Sequence, residues 1–265
     1  MNAAAWYKEG KLDIWAGNQA PDVSRGIAAH FSGLAHADIN IHSTLLGGGF
    51  GRRGYLDYIG EAAAIAIQMP GTPIKLLWTR EEDMQHGHYH PITKAKMTAA
   101  LDDQGNLQAL HMRISGQSIL ASVRPAALTD GADMFVFQGL LPSGDHAISY
   151  SIPNLLIDHA MRNPPVPPGF WRGVNVNQNA IYMESFIDEL AHAAGRDPLA
   201  FRRKLMSGQP KQLAVLNAVA DKAGWDKPVP SGVYRGLAVC KAFASYVAAC
   251  AEVSVDDQGR LKMHR

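Results

Sequence analysis

The segment GGGFG at residues 47–51 constrains the fold more than any other part of the sequence. Glycine has no Cβ atom, so its backbone adopts positive φ angles freely and can approach a ligand closely. Residues 38–46, directly before the run, alternate apolar and polar positions as a strand does, and residues 56–69 after it have the spacing of a helix. The run therefore predicts a loop between a strand and a helix that contacts a bound molecule.

The glycines alone do not define the ligand of this loop. Arg52 and Arg53 follow the run and add positive charge that suits phosphate, as do the unpaired amide groups at the start of a helix. The run lacks the GxGxxG spacing of a dinucleotide-binding loop, and no Gly-Lys-Ser/Thr follows it as in a P-loop. A phosphate-binding loop and a tight turn with solvated arginines are both compatible with the run taken alone.

Composition limits the class of protein. The 265 residues suffice for one large domain or two modest ones, and 47% apolar with 18% charged residues is typical of a globular protein. The net charge of +1 provides no basic field for nucleic acid or an anionic membrane surface. No apolar run reaches the ~18 residues of a transmembrane helix, so no membrane-spanning segment is expected.

Cysteine content and the first residues carry two further expectations. Cys240 and Cys250 are the only cysteines, which excludes an iron–sulfur cluster or a Cys-rich zinc site within the chain. Residues 1–10 lack a basic segment followed by an apolar one, so we expect no signal peptide there. Two thiols do not identify the compartment of the protein.

Alternating strand and helix patterns predict an α+β fold, a mixed βαβ-type domain with helices packed on sheets. Strands are predicted at residues 11–15, 38–46, 73–80, 93–101, 107–115, 232–243, 247–255 and from 259 onward, and helices at 22–34, 56–69, 178–194, 198–206 and 211–225. Residues 117–168 have no regular pattern. A boundary is expected near residue 207: a first domain at 1–207, truncated at its start, and the opening of a second, similar domain at 208–265, continuing beyond the last strand.

Three more segments accompany the glycine run in a fixed order. Gln19 lies 28 residues before Gly47, TREEDM occupies residues 79–84, and the WRGVN turn at 171–175 precedes the helix segment ESFIDELA at 184–191. With these motifs the chain resembles the molybdenum-cofactor-binding subunit of the xanthine oxidase and aldehyde oxidase family, in particular the bacterial isoquinoline 1-oxidoreductase beta-subunit type. The resemblance covers essentially the whole chain.

The resemblance implies roles for individual residues. Gln19 matches a glutamine that hydrogen-bonds an oxo ligand of molybdenum, Phe50 borders the substrate pocket, and Arg172 lies close to the metal; these three are the expected catalytic residues. None is expected to ligate the metal. Contacts to the cofactor are assigned to Gln19, Gly48, Gly49, Phe50, Gly51, Arg52, Arg172 and Gly173, and to Phe243, Ala244 and Ser245 in the second domain.

The resemblance also implies a reaction and partners. It implies hydroxylation of an electron-poor carbon in a small molecule, with water as the source of oxygen. The cofactor would be molybdopterin, as molybdopterin cytosine dinucleotide, with electrons passing to a separate small [2Fe-2S] subunit. The catalytic glutamate of such subunits lies near their end, in the remainder of the large subunit and outside this chain. No nucleic acid partner is expected.

Two departures from the family pattern bear on the substrate. Purine-oxidising members have a glutamate at the position of Gly54, and an arginine nine residues before the tyrosine of a Tyr-x-Ile-Pro-Asn stretch. Here that stretch begins at Tyr150, and the ninth residue back is Leu141. Both purine contacts are missing, so the sequence favours an N-heteroaromatic or aldehyde substrate over xanthine.

Other polar clusters have structural interpretations. His86, His88 and His90 alternate as metal ligands on a strand would, but no fourth ligand is evident, and a solvated loop role is favoured. Asp57 and Glu61 share one helical face and are expected to favour the helix dipole. The acidic run at 81–83 is expected to cap or solvate a strand end.

Two alternatives to a molybdenum hydroxylase fit the sequence. In one, the truncated chain is an inactive scaffold or assembly module, because the catalytic glutamate is outside it. In the other, the glycine run with Arg52 and Arg53 binds the phosphates of a nucleotide without any molybdenum.

Overall fold

The computed structural model describes all residues, 1–265, and they form two compact units. The first unit contains Met1–His90 and Pro167–Val174, and the second contains Pro91–Val166 and Asn175–Arg265. Each unit has its own apolar core. Sheets with helices packed against them make up both units, which confirms the predicted α+β class.

The first unit is built on one four-stranded sheet. Its strands are β1 (Asn2–Lys8), β2 (Lys11–Ala16), β3 (Ile39–Ser43) and β4 (Ile74–Leu77), in the order β3-β2-β1-β4. Only β2 and β3 are parallel, and the chain between them forms helix α1 (Pro21–Ser32). Helix α2 (Asp57–Gln68) connects β3 to β4, and helix α3 (Arg80–Gln85) follows β4.

Helices α1 and α2 pack closely together beside the sheet. Gly60 makes this packing possible, because a Cβ atom there would lie 2.5 Å from the ring of Phe31 in α1. The core between helices and sheet consists of small and branched side chains with almost no exposed surface, including Leu12, Ile14, Ala28, Ile39, Ile59, Ala62, Ala63 and Ala66. Both helices therefore support the sheet from which the glycine run emerges.

The second unit contains two three-stranded sheets. Strands β5 (Thr93–Leu101), β6 (Leu107–Gly116) and β7 (Asn154–Met161) form one, and β8 (Tyr234–Ala242), β9 (Ser245–Val255) and β10 (Leu261–Met263) form the other, in the order β10-β9-β8. Its helices are α4 (Ile119–Val123), α5 (Val176–Ala193), α6 (Pro198–Leu205) and α7 (Pro210–Ala223).

Helix α5 runs through the core of the second unit. Met183, Ile187, Leu190 and Ala191 form its buried stripe, at the spacing expected of one helical face. Gly195, with a φ of +61°, follows its end in the left-handed conformation that commonly terminates a helix. None of the helices combines the length and the apolar character needed to cross a bilayer.

Two strands were not expected from the sequence. β1 has the alanine-rich sequence NAAAWYK, which lacks the β-branched residues typical of strands, yet it lies in the middle of its sheet. β7 lies within residues 117–168, the region predicted to be irregular, and pairs in parallel with β6. The remaining predicted helices and strands are present with bounds shifted by a few residues.

The acidic residues 81–83, which follow β4, do not cap or solvate a strand end as predicted. Residues 81–83 form the first turn of α3. Thr79 caps this helix, since its side chain accepts a bond from the Glu82 amide while the Glu82 carboxylate accepts from the Thr79 amide. Three acidic residues in a first turn also favour the helix dipole, so the run begins a helix rather than ending a strand.

Candidate functional site

The glycine run forms a loop whose conformation requires glycine at particular positions. Gly48 and Gly51 have φ angles of +110° and +85°. A Cβ atom at Gly51 would lie 2.1 Å from the carbonyl oxygen of Phe170, and one at Gly49 would lie 2.3 Å from the side chain of Gln19. By contrast, a Cβ at Gly47 would meet nothing within 4 Å. The missing side chains at two positions therefore let other segments of the chain lie directly against the loop.

Gln19 is one of these neighbours, at the end of the loop after β2. Its side-chain Oε1 accepts a hydrogen bond of 2.9 Å from the backbone amide of Gly51. The backbone amide of Gln19 donates to the carbonyl of Arg53 at 3.0 Å. Because a backbone N–H must bond to oxygen, this contact fixes the orientation of the carboxamide. The Nε2 group of this exposed residue is therefore the donor that Gln19 can offer to a ligand.

The WRGVN turn also lies against the loop. The amide of Arg172 donates to the carbonyl of Phe50 at 3.1 Å, and its guanidinium lies 4.8 Å from the centre of the Phe50 ring. Phe50 has a φ of +52°, unusual for a bulky residue, and its side chain is 55% exposed. Gly173 and Val174 also have positive φ angles. Strained backbone of this kind at an exposed aromatic ring is typical of functional sites.

A clamp of aromatic residues holds this turn in place. The Tyr55 hydroxyl accepts a hydrogen bond from the amide of Phe170, and Gly169 leaves room for it, because a Cβ there would lie 2.2 Å from that hydroxyl oxygen. His88 stacks on the Tyr55 ring at 4.0 Å. The sequence did not single out Tyr55, Gly169 or Phe170. The one sequence signal for a close approach there is Gly169, directly after the proline-rich residues 164–168.

Within the HGHYH segment, His88 differs from the predicted solvated or loop role, whereas His86 is exposed as that role requires. His88 is half-buried against Tyr55, and burial lowers its pKa from the ordinary value, so the neutral ring is favoured. His86 lies edge-on to Trp78. No three of the chain's histidine, cysteine, aspartate and glutamate side chains form a group suited to a metal ion.

Arg52 forms ion pairs within the protein, which corrects the expectation that its charge is available to bind a phosphate. The residue is 5% exposed. Its guanidinium donates two bonds to Asp57, at 3.0 and 3.1 Å, and one to Asp83 in α3 at 3.0 Å. Its charge is therefore balanced by two carboxylates, and Asp57 has a specific partner in addition to its place in the first turn of α2. Cofactor contact by Arg52 remains a prediction that would involve its backbone.

Arg53 is also engaged within the first unit. Its guanidinium donates to the carbonyl of Gly17 at 2.9 Å and to the Asn2 side chain at 2.8 Å, and it lies over the ring of Tyr58. The expectation that Arg53 adds charge for phosphate is corrected in the same way. Both arginines anchor the end of the glycine run to the surrounding sheet and helix.

Phe243, Ala244 and Ser245 lie in the second unit, at the turn of the β8–β9 hairpin. Ala242 pairs with Ser245, so Phe243 and Ala244 alone form the turn, with φ angles of +48° and +59°. Two positive φ angles define a type I′ turn, which normally contains Asn or Gly. Phe243 is 55% exposed, and the edge of His146 faces its ring at 5.5 Å.

The structure thus brings together one part of the predicted site. Gln19, Phe50, Arg172 and the glycines share the first unit and touch one another through the bonds described above. Gly54 offers no side chain and has open space around it. Glu61 lies beyond the first turn of α2, so it does not have the predicted helix-dipole role; its carboxylate accepts a bond from Trp78 Nε1 at 2.7 Å instead.

Comparison with known proteins gives the site a family. The profile described as "Molybdopterin cofactor-binding domain" matches residues 1–206. Isoquinoline 1-oxidoreductase subunit beta of Brevundimonas diminuta is 28% identical over 253 residues, which are 93% of this chain and 32% of that protein. A membrane-bound aldehyde dehydrogenase (pyrroloquinoline-quinone) of Gluconacetobacter polyoxogenes is 29% identical over 257 residues, 89% of this chain and 33% of that protein.

Solved structures agree on the fold. Quinoline 2-oxidoreductase from Pseudomonas putida 86 superimposes with a TM-score of 0.69 at 19% identity, covering 99% of this chain and 38% of that one. The chain spans about a third of the length of the curated relatives. Since the family profile covers most of the sequence, the chain belongs to the molybdopterin cofactor-binding domains of the xanthine oxidase and aldehyde oxidase family, as its motifs predicted.

Proposed function

We propose that this chain forms one side of a molybdenum cofactor site in the large subunit of a molybdenum hydroxylase. The observation that carries the proposal is the arrangement around the glycine loop. Gln19 bonds to this loop through the Gly51 amide, and Arg172 bonds to it through the Phe50 carbonyl. These contacts place an amide donor, an exposed aromatic ring and a guanidinium around a single loop.

The residues present suit such a cofactor. Molybdopterin carries anionic oxygen and phosphate groups, for which amide and guanidinium donors are appropriate partners. Gln19 offers Nε2 because its oxygen already accepts a bond from the Gly51 amide. Arg52 and Arg53 are bonded within the protein, so the nucleotide-binding alternative loses the free charge on which it depends.

When bound, the cofactor supplies two-electron oxidation of an electron-poor carbon with oxygen from water. The residues of this chain bind the cofactor and orient the substrate. Gln19 donates a hydrogen bond to an oxygen ligand, Arg172 balances negative charge that develops on the substrate, and the Phe50 ring forms an apolar wall beside it. The carboxylate that removes the proton is proposed to belong to the remainder of the large subunit.

The proposed substrate is an N-heteroaromatic compound or an aldehyde. Two features support this choice over a purine, namely the absence of a side chain at Gly54 and the apolar Leu141 where purine-oxidising members have an arginine. The names of similar proteins, an isoquinoline oxidoreductase and an aldehyde dehydrogenase, point the same way. Substrates of both classes present a flat, weakly polar group that fits beside an exposed phenyl ring.

Further parts of the proposal concern the assembly. We propose molybdopterin cytosine dinucleotide as the form of the cofactor, and a small [2Fe-2S] subunit as the electron acceptor. We also propose that residues 1–207 belong to the first cofactor-binding domain and 208–265 to the second. The match of the family profile to residues 1–206 supports this boundary.

Two substitutions test the assignment in the complete enzyme. Gln19→Ala and Arg172→Ala should each lower turnover by about tenfold or more, because each removes a donor directed at charge. Gln68→Ala and Arg25→Ala are matched controls, since both residues are exposed in the first unit away from the loop. Unchanged turnover in both site variants, with full molybdenum content, would refute these roles.

A further inference from the structure

Strand β8 has an outer edge without a neighbouring strand, because it is the last strand of the β10-β9-β8 sheet. Two buried side chains bond to this edge instead. The Glu184 carboxylate of α5 accepts a bond of 3.0 Å from the amide of Val239, and Arg202 of α6 donates to the carbonyl of Leu237 at 2.9 Å. An acceptor and a donor thus occupy positions on β8 that another strand would otherwise fill.

The two side chains are held together by a buried polar network. Arg202 Nε donates to Glu184 Oε2 at 3.2 Å, and its guanidinium also bonds to Asp188. The hydroxyl of Tyr150 donates to Glu184 Oε1 at 2.7 Å. Glu184 is 6% exposed and Arg202 is fully buried. A buried ion pair contributes little net stability compared with apolar residues of similar size, so a role in fixing geometry accounts better for its presence.

The strand held in this way ends at the turn of Phe243 and Ala244. Only three residues lie between Val239 and Phe243, and both turn residues have the positive φ angles that side chains disfavour. Such a turn stays in place only if the surrounding structure fixes it. Lys241 adds a bond from its Nζ to the Gly144 carbonyl at 2.7 Å.

We propose that Glu184 is a positioning residue, which fixes the outer edge of β8 and thereby the conformation of the 243–245 turn. The inference rests on the proposed function and on the expectation from the family resemblance that residues 243–245 contact molybdopterin. Glu184 itself does not touch the ligand in this account. Its carboxylate is buried and already accepts bonds from Val239, Tyr150 and Arg202.

The test uses the complete enzyme with its partner subunits and two isosteric variants. Glu184→Gln removes the charge that faces Arg202. Glu252→Gln is the matched control, because Glu252 pairs with Arg235 in the same sheet, 2.8 Å apart, at the end of β8 away from the turn. Both variants lose one partly or fully buried ion pair, so a general loss of stability affects both.

Two readouts distinguish positioning from stability. In Glu184→Gln, amide hydrogen exchange should be faster in the peptide around Val239 and in the 243–245 turn. Molybdopterin, measured as its oxidised pterin, should be released about tenfold faster than from the wild type. In Glu252→Gln, exchange at the turn and pterin release should stay at wild-type rates. Equal turn exchange and release in the two variants would overturn the proposal while leaving cofactor binding intact.

A second variant keeps the test decisive if Glu184→Gln does not fold. Tyr150→Phe removes one hydroxyl bond to Glu184 and preserves the ring, so it should produce a smaller change in the same direction. Wild-type turn exchange in this variant would count against the proposal. A wild-type enzyme that contains no pterin would overturn the proposed function, and this inference with it.

Discussion

Single glycines in the loop at 47–51 differ in what they make possible. Gly51 combines a positive φ with a neighbouring carbonyl only 2.1 Å from the position of a Cβ, whereas Gly47 has neither constraint. The glycine run therefore includes two kinds of position that the sequence does not distinguish. One kind is required by the packing of the Gln19 and Phe170 segments, and the other is not.

Alanine substitutions separate these positions. Gly51→Ala should lower the free energy of unfolding by at least about 2 kcal/mol, because it adds backbone strain and a steric clash. Gly47→Ala should change it by less than about 0.5 kcal/mol. Urea unfolding of both variants measures the difference, and equal losses in the two would show that the loop is not packed as described.

His88 makes the clamp on the Phe170 segment sensitive to acid. Burial lowers its pKa below the ordinary 6.5. The nearby Asp57 carboxylate raises the pKa, and the Arg52 guanidinium lowers it. As the pH falls below about 6.5, the unfolded chain takes up a proton that the folded chain resists. The contribution of the neutral ring to stability is thus fully present above that pH and is lost as the pH falls toward the folded pKa.

A phenylalanine at this position should remove the effect. His88→Phe keeps a ring to stack on Tyr55 but does not titrate, so the variant should lose less stability than the wild type between pH 6.5 and more acidic values. Urea midpoints measured across that range give the comparison, with exposed His36→Gln as the control. If wild type and His88→Phe show the same pH dependence, His88 is not the source.

At the scale of elements, the β8–β9 hairpin has a turn whose sequence does not suit its geometry. Type I′ turns favour Asn and Gly, yet Phe243 and Ala244 occupy both central positions. Ala244→Gly should therefore stabilise the protein by about 1 kcal/mol by relieving the left-handed strain. Ala242→Gly, within β8, should have the opposite sign and cost about 0.5–1 kcal/mol. Thermal or urea unfolding decides, and a destabilising Ala244→Gly would contradict the strained turn.

Helix α3 connects its capping box to the glycine loop through Asp83, which bonds to Arg52. Thr79→Ala removes the side chain that caps this helix and should cost about 1 kcal/mol of stability. Thr79→Ser keeps the capping oxygen and should retain most of that stability. Urea unfolding of the two variants tests the role of the cap, and an equal loss in both would rule it out.

The order of helices and strands could be predicted where periodicity was strong, as in α5 and the β5–β6 hairpin. β1 could not, because three successive alanines have low strand propensity, and tertiary pairing with β2 and β4 determines its conformation. Likewise, the sequence shows that Arg52 is charged, but it does not show which residues its guanidinium binds. The carboxylates that bind it lie 5 and 31 residues away in the chain and meet it only in the fold.

For the whole molecule, family membership explains why motif order predicted the site better than any single motif did. Gln19, the glycine run and the WRGVN turn are far apart in sequence, yet they form one set of contacts in the first unit. Residues that support those contacts, such as Tyr55 and Gly169, have no distinctive pattern. Their roles follow from packing around the loop and could not be derived from residue type or spacing.

The most direct test of this account is the cofactor content of the complete large subunit, purified with its partners from molybdenum-supplemented cells. Metal analysis and the fluorescence of released, oxidised pterin should both report stoichiometric cofactor. Gly51→Ala should lower both values, and Gly47→Ala should leave them unchanged, because only Gly51 lies against a neighbouring backbone. A fully folded wild-type subunit without molybdenum or pterin, retaining a nucleotide instead, would contradict the account.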